Sequence, residues 1–340
     1  MRTIRFPAAA LAVAVVAALA GCGDRGAGAG GAEVTELRYQ GSVGQVTLPE
    51  LAADLGYLGG VQLKWIGNTI SGPQDIQAAT TGDTDFGGAF NGAIVKLAAA
   101  RAPIKAVVGY YGANEKTFNG FYVLDRSPIR TARDLVGKKI GVNTLGAHAE
   151  AVTKTYLARN GLTPAEIERV EFVVVPPVNT EQSLRQGRID VASLSQTLRD
   201  KAVDRGGIRP LFTDSQLLGT FTAGSYVIRT DFLKKNPNTV RAFVGGVARA
   251  IEWTKAQPRD AVVARLTDIL RKRGRNEDDT QLKYWRSYGV AGRGGVIEER
   301  EFALWVDWLG REGELKGKQV AAADIYTNEY NPYRDGGEPR

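Results

Sequence analysis

The chain has 340 residues, 43% hydrophobic and 24% charged, which is ordinary globular composition with room for about two domains. The formal net charge is +7, but the basic residues are spread along the chain and mixed with acidic ones. The densest basic run, 271–275, stands at a predicted helix end, where cations are favoured anyway. This distribution argues against a nucleic-acid-binding surface. A single cysteine excludes intrachain disulfides and multi-cysteine metal sites.

Residues 1–21 have the pattern of an export signal. A positively charged start precedes an apolar run at 8–20, which is too short to span a bilayer. The run ends in the letters LAGC, which resemble the bacterial lipobox, where the cysteine is acylated. The sequence therefore predicts a lipoprotein signal peptide at 1–21, lipidation at Cys22 and a flexible tether over 22–34. An ordinary signal peptide with an incidental cysteine is the alternative.

Strand and helix patterns alternate after the tether. Strands are predicted at 36–40, 61–66, 86–88 and 104–110, and helices at 48–56, 73–82 and 92–100. This alternation predicts a parallel sheet with crossover helices.

Residues 71–91 combine two helix starts with a glycine-rich strand end. Pro73 suits the first position of a helix, with Gly72 as its N-cap, and Gly82 suits the left-handed conformation that ends one. Asn91 is placed to cap the next helix. Two helix N-termini beside a strand end present backbone N–H groups, as in sites for small ligands.

A similar pattern returns about a hundred residues later. Asn179 stands at a helix start, Gly187 ends the helix, and Asp190 precedes a strand. The spacing helix–Gly–x–x–Asp–strand matches Gly82 and Asp85 in the first copy. We interpret the pair as two similar α/β lobes that offer strand-end loops to one cleft. The alternative is that unrelated helix–strand units share this ending by chance.

Strand and helix patterns also alternate in the second half of the chain, which ends in a series of helices. Strands are predicted at 121–124, 138–142, 170–175, 207–212 and 221–227, and helices near 131–135, at 147–159, from 164, from 238, and at 258–273, 278–287 and 298–312. The strand at 221–227 is expected to return the chain to the first lobe. We expect Trp253, Trp285, Trp305 and Trp308 to be core or helix-packing residues.

Several motifs together carry a family resemblance. They are SGPQDIQAATTGDTDFG, SPIRTARDLVGKKIGV, EQSLRQGRIDVASL and NPNTVRAFVGGVARAIEWTKAQP, whose span takes in most of 35–258, with the lipobox before them. In this order they resemble the solute-binding proteins of ABC importers, in the branch associated with nitrate, sulfonate and taurine. The resemblance implies an α/β, two-lobed periplasmic-binding-protein fold of type II, with two crossovers and a central cleft. It implies lobe I at 35–119 plus 228–335 and lobe II at 120–227.

The resemblance also implies a function. It is that of a monomeric binding protein without catalytic residues, metal or cofactor, anchored by its lipid outside the cytoplasm, and without a nucleic-acid partner. It would capture a small organic solute, best described as an aliphatic sulfonate or taurine-like compound, and deliver it to ABC permease and ATPase subunits. One alternative is a neutral or zwitterionic nitrogen compound, such as a pyrimidine or flavin precursor. Another is a pyrimidine-precursor enzyme on this fold, against which a lone cysteine and a lone histidine argue. A solute sensor is a third.

Positions in the ligand loops are implied by the same resemblance. From lobe I they are Ser42, Gln45, Ser71, Gly72, Ala89, Phe90, Asn91, Tyr111 and Asn114, and from lobe II they are Thr144, Gly146, Ala147, His148, Asn179, Thr180, Ser195 and Gln196. Helix capping without a ligand role is the alternative for each. His148, near a helix start, is expected either as a ligand contact or as a solvated or capping residue.

The loops depart from the family at two places. Asn91 stands where many sulfonate binders carry an acid, and residues 193–196 read SLSQ where this branch often has an aromatic residue and a proline. None of the loops contains an obvious arginine for an anion. Helix N-termini and hydroxyl groups could hold a sulfonate, and a neutral or zwitterionic molecule fits this polar lining at least as well.

Overall fold

A computed structural model describes residues 32–336. The predicted signal peptide, the lipidation site at Cys22 and most of the predicted tether lie outside these residues. From Glu33 onward, the described residues form one compact unit. Within 32–336, no helix has both the length and the apolar character needed to cross a membrane.

Ten strands alternate with helices through most of the described chain. The strands are β1 (Glu36–Gly41), β2 (Gln62–Asn68), β3 (Phe86–Phe90), β4 (Ile104–Ala113), β5 (Asn119–Leu124), β6 (Lys139–Val142), β7 (Glu171–Val174), β8 (Val191–Ser195), β9 (Ile208–Thr213) and β10 (Phe221–Arg229). The helices are α1 (Leu48–Asp54), α2 (Gly72–Thr81), α3 (Asn91–Ala99), α4 (His148–Arg159), α5 (Pro164–Ile167), α6 (Pro177–Arg185), α7 (Gln196–Asp204), α8 (Asp214–Leu218), α9 (Thr230–Lys235), α10 (Pro237–Ala256), α11 (Arg259–Lys272) and α12 (Arg300–Arg311).

Local signals set several of these limits. Thr163 accepts a hydrogen bond from the Glu166 N–H, and the Glu166 side chain bonds back to Thr163, which is the capping box that starts α5. Gly82 closes α2 with a φ of 87°. Ser71, one residue earlier than expected, is the N-cap of α2.

The predicted helix at 278–287 is wrong. The segment forms only a short 3-10 turn, Thr280–Tyr284. Arg259 of α11 donates hydrogen bonds to the backbone carbonyls of Lys283 and Trp285. These bonds use acceptors that a continuing helix would need for its own N–H groups.

The strands form three sheets. β1 and β2 pair in parallel, a second sheet has the order β3-β10-β4, and a third has the order β7-β6-β8-β5-β9. The expectation of a parallel sheet in the first lobe fails at β10, which runs antiparallel to both β3 and β4. In the same way β5 runs antiparallel to β8 and β9. Both strands follow a crossing between lobes, so each joins its sheet from the hinge side, against the direction of the other strands.

The sheets define where the chain changes lobe. The sheets of lobe I contain β1 to β4 and β10, and that of lobe II contains β5 to β9. The chain therefore returns to lobe I before Phe221, earlier than the expected boundary at 227/228. Asn119 likewise belongs to β5 and to lobe II.

The first crossing, 114–118, is held by hydrogen bonds. Asn114 Oδ1 accepts from the N–H groups of Lys116 (2.8 Å) and Thr117 (3.0 Å). Arg199 of α7 donates to the carbonyl oxygens of Phe118 (3.1 Å) and Lys116 (3.4 Å) and lies 3.9 Å over the Phe118 ring. The crossing is thus tied to lobe II.

Tryptophans support the lobe I core as expected. Trp305 is buried, with its ring centroid 4.5 Å from that of Phe90, and Trp285 and Trp308 are also buried. Trp253 is partly buried against the cluster around α10. These packing contacts hold the cleft face of β3 in place from behind.

Candidate functional site

A cleft of about 490 Å³ lies between the two lobes. Lobe I contributes the ends of β1, β3 and β4 and the start of α2, and lobe II contributes the starts of α4, α6 and α7 and the end of β8. The volume is within the range of sites for small molecules.

Most of the positions implied for the ligand loops line this cleft. They are Ser42, Gln45, Ser71, Gly72, Ala89, Phe90, Tyr111, Ala147, His148, Thr180, Ser195 and Gln196. Both lobes contribute, which is the arrangement that a ligand closing the lobes together requires. Contact of these residues with a ligand stays a prediction.

Asn91 does not line the cleft. It is fully buried as the first residue of α3, whose N-cap is Phe90. Its Nδ2 donates to the carbonyl oxygens of Thr222 (3.3 Å) and Glu301 (3.4 Å), and its Oδ1 accepts from Ser225 Oγ (2.9 Å). Asn91 therefore connects three elements behind the wall, and it is neither a side-chain cap nor part of the surface that a ligand would meet.

The other exceptions also have local reasons. Asn114 is used in the crossing between the lobes, as described above. The Gly146 N–H donates to Glu150 Oε2 (2.8 Å), which folds the loop back onto α4. Asn179 is exposed within α6 because that helix begins earlier, at Pro177. Thr144 is half-buried, and its neighbour Asn143 reaches the cleft instead.

Loop 42–45 at the mouth of the cleft is held from a distant part of the chain. Arg273 donates to the carbonyl oxygens of Ser42 (3.3 Å) and Gln45 (2.9 Å), and it also pairs with Glu50 (2.9 Å). The Gln281 side chain donates to the Gly44 carbonyl (2.7 Å). Sequence analysis missed these residues, because no local pattern marks partners that lie more than two hundred positions away.

Asp75, in the first turn of α2, was also missed. Its side chain lines the cleft, although the residue is only 7% exposed. Oδ2 accepts a hydrogen bond from the Gly88 N–H (2.7 Å), and Oδ1 has no hydrogen-bonding partner among the described residues. Burial raises the pKa of Asp75 to about 7. The only sign of it in the sequence was an acidic residue in the first turn of the predicted helix at 73–82.

Aromatic residues line the same cleft as Asp75. Tyr110 and Tyr226 stack with their ring centroids 4.2 Å apart, and Phe86 meets Tyr226 edge-on at 5.6 Å. A Cβ at Gly88 would lie 2.9 Å from carbon atoms of both tyrosine rings, so the missing side chain makes room for the stack. Burial raises the pKa of both tyrosines well above their ordinary value, and both stay neutral at physiological pH.

His148 lies at the base of the cleft, paired with an acid. Its Nε2 is 2.9 Å from Asp214 Oδ2, and Asp214 Oδ1 accepts from the Asn119 N–H (3.0 Å). The imidazole ring, from lobe II, meets Phe90 of lobe I edge-on at 5.3 Å and stacks on Phe221 at 5.9 Å. His148 is therefore not a solvated residue, because it joins the two lobes at the hinge side of the cleft.

The charges that line the cleft are unusual for an anion site. The lining contains the carboxyl groups of Asp75 and Asp214 and the imidazole of His148. Among the described residues that line it, none is lysine or arginine. Four helices, α2, α4, α6 and α7, begin at residues that line the cleft. Positive character therefore comes from backbone N–H groups at helix ends.

Comparison with known proteins agrees with this two-lobed architecture. Residues 51–261 match the family model described as NMT1/THI5 like, and the chain belongs to that family. The resemblance found from the motifs is thereby confirmed.

Individual relatives are distant. The chain is 24% identical over 210 residues to the taurine-binding periplasmic protein of Escherichia coli, covering 58% of this chain and 62% of that one. It is 25% identical over 264 residues to a 4-amino-5-hydroxymethyl-2-methylpyrimidine phosphate synthase of Saccharomyces cerevisiae, covering 73% and 72%. The match to the taurine-binding protein thus spans less than two thirds of its length.

A solved structure shows the same fold. The alkanesulfonate-binding protein from Xanthomonas axonopodis pv. citri, bound to MOPS, superposes with a TM-score of 0.67 at 19% identity, over 87% of this chain and 99% of that one. The predicted periplasmic-binding-protein fold is confirmed.

Proposed function

We propose that this protein is the solute-binding subunit of an ABC importer. It captures a small organic solute between its lobes and delivers it to permease and ATPase subunits. The observation that carries the proposal is the 490 Å³ cleft, which is lined from both lobes of a chain that crosses between them twice. The binding proteins among its relatives support the same role. We propose binding without catalysis, by an exported monomer that a lipid on Cys22 anchors to the bacterial membrane.

Capture follows from the placement of polar groups on opposite walls. Gln45 and Ser71 lie on lobe I, and Thr180 and Ser195 lie on lobe II. A solute that bonds to both walls stabilises the closed arrangement more than the open one, because only the closed form makes both sets of contacts. The closed form is then the state that a permease recognises.

An aliphatic sulfonate or taurine-like compound is the first candidate ligand. The names of the taurine-binding and alkanesulfonate-binding relatives support it. In this cleft an anionic group would be held by the N-termini of α2, α4, α6 and α7 and by hydroxyl groups such as Ser71.

A neutral or zwitterionic nitrogen compound is the second candidate. The specific observation in its favour is the chemistry of the lining, which has two carboxyl groups and, within 32–336, neither lysine nor arginine. A simple anion in such a cleft meets the carboxyl group of Asp75 without a lysine or arginine to neutralise it, while Asp214 is already paired with His148. A solute that also carries a nitrogen donor does not have this disadvantage.

The proposal is tested by a thermal-shift screen of the mature domain. Alkanesulfonates, taurine, nitrate, pyrimidines and flavins are added in turn, and small-angle scattering then follows lobe closure with each compound that binds. A ligand at a hundred times its dissociation constant should stabilise the fold by about 2.7 kcal/mol. Stabilisation with closure supports the proposal. The absence of any stabilisation across the panel would contradict it.

A further inference from the structure

The buried carboxyl group of Asp75 is an unexplained feature of the cleft. Oδ1 has essentially no exposed surface and no hydrogen-bonding partner among the described residues, while Oδ2 is bonded to the Gly88 N–H. Buried polar atoms are normally paired, since an unpaired acceptor loses its hydration without compensation. An unpaired carboxyl oxygen beside a ligand cleft therefore calls for a partner that the protein does not supply.

The surroundings of Asp75 limit what that partner can be. The stacked rings of Tyr110 and Tyr226 and the ring of Phe86 lie around this part of the cleft. No lysine or arginine in the described lining competes for the carboxylate. Aromatic faces attract cations, and a carboxylate accepts strong hydrogen bonds from charged donors. Both properties favour a nitrogen group with N–H donors.

We propose that Asp75 is a specificity-determining residue, which accepts a hydrogen bond from a protonated or N–H-donating nitrogen group of the solute. That group would lie between the start of α2 on one side and the stacked pair of Tyr110 and Tyr226 on the other. The inference rests on the proposed solute-binding function and narrows it to nitrogen-bearing organic compounds. Because Oδ1 has essentially no exposed surface in the described arrangement, contact requires the carboxyl group to turn toward the cleft, with the Gly88 N–H still bonded to its other oxygen. A solute without such a group leaves Oδ1 unpaired in the closed form. Its binding free energy is then less favourable, because the desolvation of the carboxyl group is not offset by a hydrogen bond.

With this assignment, the two walls of the cleft favour opposite charges on the solute. The N-termini of α4, α6 and α7 come from lobe II, and Asp75 comes from lobe I. A solute with an acidic group at one end and a nitrogen group at the other would place the acid against lobe II and the nitrogen against lobe I. Closure then requires both ends, which separates zwitterions from simple anions of similar size.

The test uses matched probes that differ in the nitrogen group. Taurine is compared with ethanesulfonate, and 4-aminopyrimidine with pyrimidine, by isothermal titration of the mature protein. The member with the amino group is expected to bind at least tenfold more tightly in at least one pair. Asp75→Asn keeps the shape of the side chain but removes its negative charge, and should reduce that preference to less than threefold.

A charge-matched control separates binding from a general loss of negative charge. Asp83→Asn changes an exposed carboxyl group in the turn between α2 and β3. This variant should leave the affinities for the two members of each probe pair unchanged. Circular dichroism of the two variants checks that each is folded. Equal loss in both variants would overturn the assignment of Asp75.

A measurement on the unaltered protein keeps the inference testable if Asp75→Asn does not fold. Because burial raises the pKa of Asp75 to about 7, we expect its carboxyl group to be mostly protonated at pH 6 in the unliganded protein, with Tyr110 and Tyr226 neutral. Binding of an ammonium probe should therefore release a proton, which appears as a dependence of the binding heat on the ionisation enthalpy of the buffer. Binding without proton release would count against the inference.

The outcomes distinguish this inference from the proposed function. If neither amino-bearing probe binds more tightly than its partner without the amino group, or if Asp75→Asn keeps the preference, the inference is overturned while solute binding stands. If sulfonates bind and neither amino-bearing probe does, the inference is overturned in the same way. If no probe of any kind binds, both the inference and the proposed function are contradicted.

Discussion

At the scale of single residues, Asn91 and Asp75 exchange the roles that their sequence neighbourhood suggests. Asn91 follows a glycine-rich strand end and is predicted to face the ligand, but its amide joins three elements in the core. Asp75 lies in the first turn of a helix, where an acid is favourable without any ligand. Asp75 nevertheless lines the cleft, and one of its carboxyl oxygens is buried without a hydrogen-bonding partner among the described residues.

Replacing Asn91 with alanine should therefore damage the fold. Asn91→Ala removes three buried hydrogen bonds and leaves the Ser225 hydroxyl and the Thr222 carbonyl without this partner. Since unpaired buried groups cost about 1–3 kcal/mol each, the free energy of unfolding should fall by roughly 2–4 kcal/mol. Urea denaturation measures the change. Asn179→Ala, at an exposed position in α6, is the control and should stay within about 0.5 kcal/mol. A loss below about 1 kcal/mol for Asn91→Ala would contradict this account.

At the scale of elements, the close contact between α2 and β3 positions one wall of the cleft. All residues of β3 are buried, and the strand reads FGGAF. A Cβ at Gly87 would lie 2.4 Å from the carbonyl oxygen of Asp75, and one at Gly72 would lie 3.0 Å from the Cα of Ala89. These glycines allow helix and strand to approach closely, and the approach brings the start of α2 to the cleft.

Gly87→Ala should push α2 away from the sheet. The clash is with backbone atoms, so a rotation of a side chain cannot relieve it. We expect a loss of stability of about 1–3 kcal/mol, as for overpacked cores, and weaker binding of any solute that stabilises the unaltered protein. Thermal unfolding with and without that solute measures both effects.

Gly245→Ala is the matched control for this prediction. Gly245 lies within α10 with open space around the position of a Cβ. Alanine is favoured over glycine in a helix by roughly 1 kcal/mol, so this variant should be slightly more stable than the unaltered protein. Destabilisation by Gly245→Ala as large as that by Gly87→Ala would show that crowding is not the cause.

At the scale of the whole molecule, polar contacts between α7 and residues 284–286 bridge the lobes outside the cleft. The Tyr284 hydroxyl donates to Asp204 Oδ2 (2.7 Å), and Arg286 Nε lies 3.0 Å from Asp200 Oδ2. Asp200 and Asp204 belong to α7 of lobe II, while Leu282 and Trp285 anchor the 3-10 turn in the lobe I core. These contacts favour the described arrangement of the lobes.

Removing both contacts should open the unliganded protein. Because the arginine is exposed, its ion pair contributes little, and we expect Tyr284→Phe with Arg286→Ala to shift the balance by about 1–2 kcal/mol. The radius of gyration from small-angle scattering should increase without solute and return toward its original value at saturation. Arg300→Ala, which breaks an exposed pair with Glu298 inside lobe I, is the control. An unchanged radius in the double variant would show that the bridge has no influence on the lobes.

Local chemistry determined much of this fold. Proline and threonine caps, left-handed glycines and alternating apolar segments act over a few residues. For this reason the limits of α2 and α11, the start of α5 and the approximate limits of most strands were predictable. The repeated helix–Gly–x–x–Asp–strand pattern predicted two lobes for the same reason. The family resemblance implied ligand-loop positions such as Ser71 and Ser195, and both residues line the cleft.

Tertiary structure decided what depends on distant partners. The antiparallel direction of β10 follows from where the chain crosses back. The hydrogen bonds that hold loop 42–45 come from Arg273, more than two hundred residues away. Whether Asn91 or Asp75 faces the cleft depends on which atoms of other elements lie within hydrogen-bonding distance. Hydrogen bonds and close packing act over a few ångströms in space, so such choices are made only when the lobes have assembled.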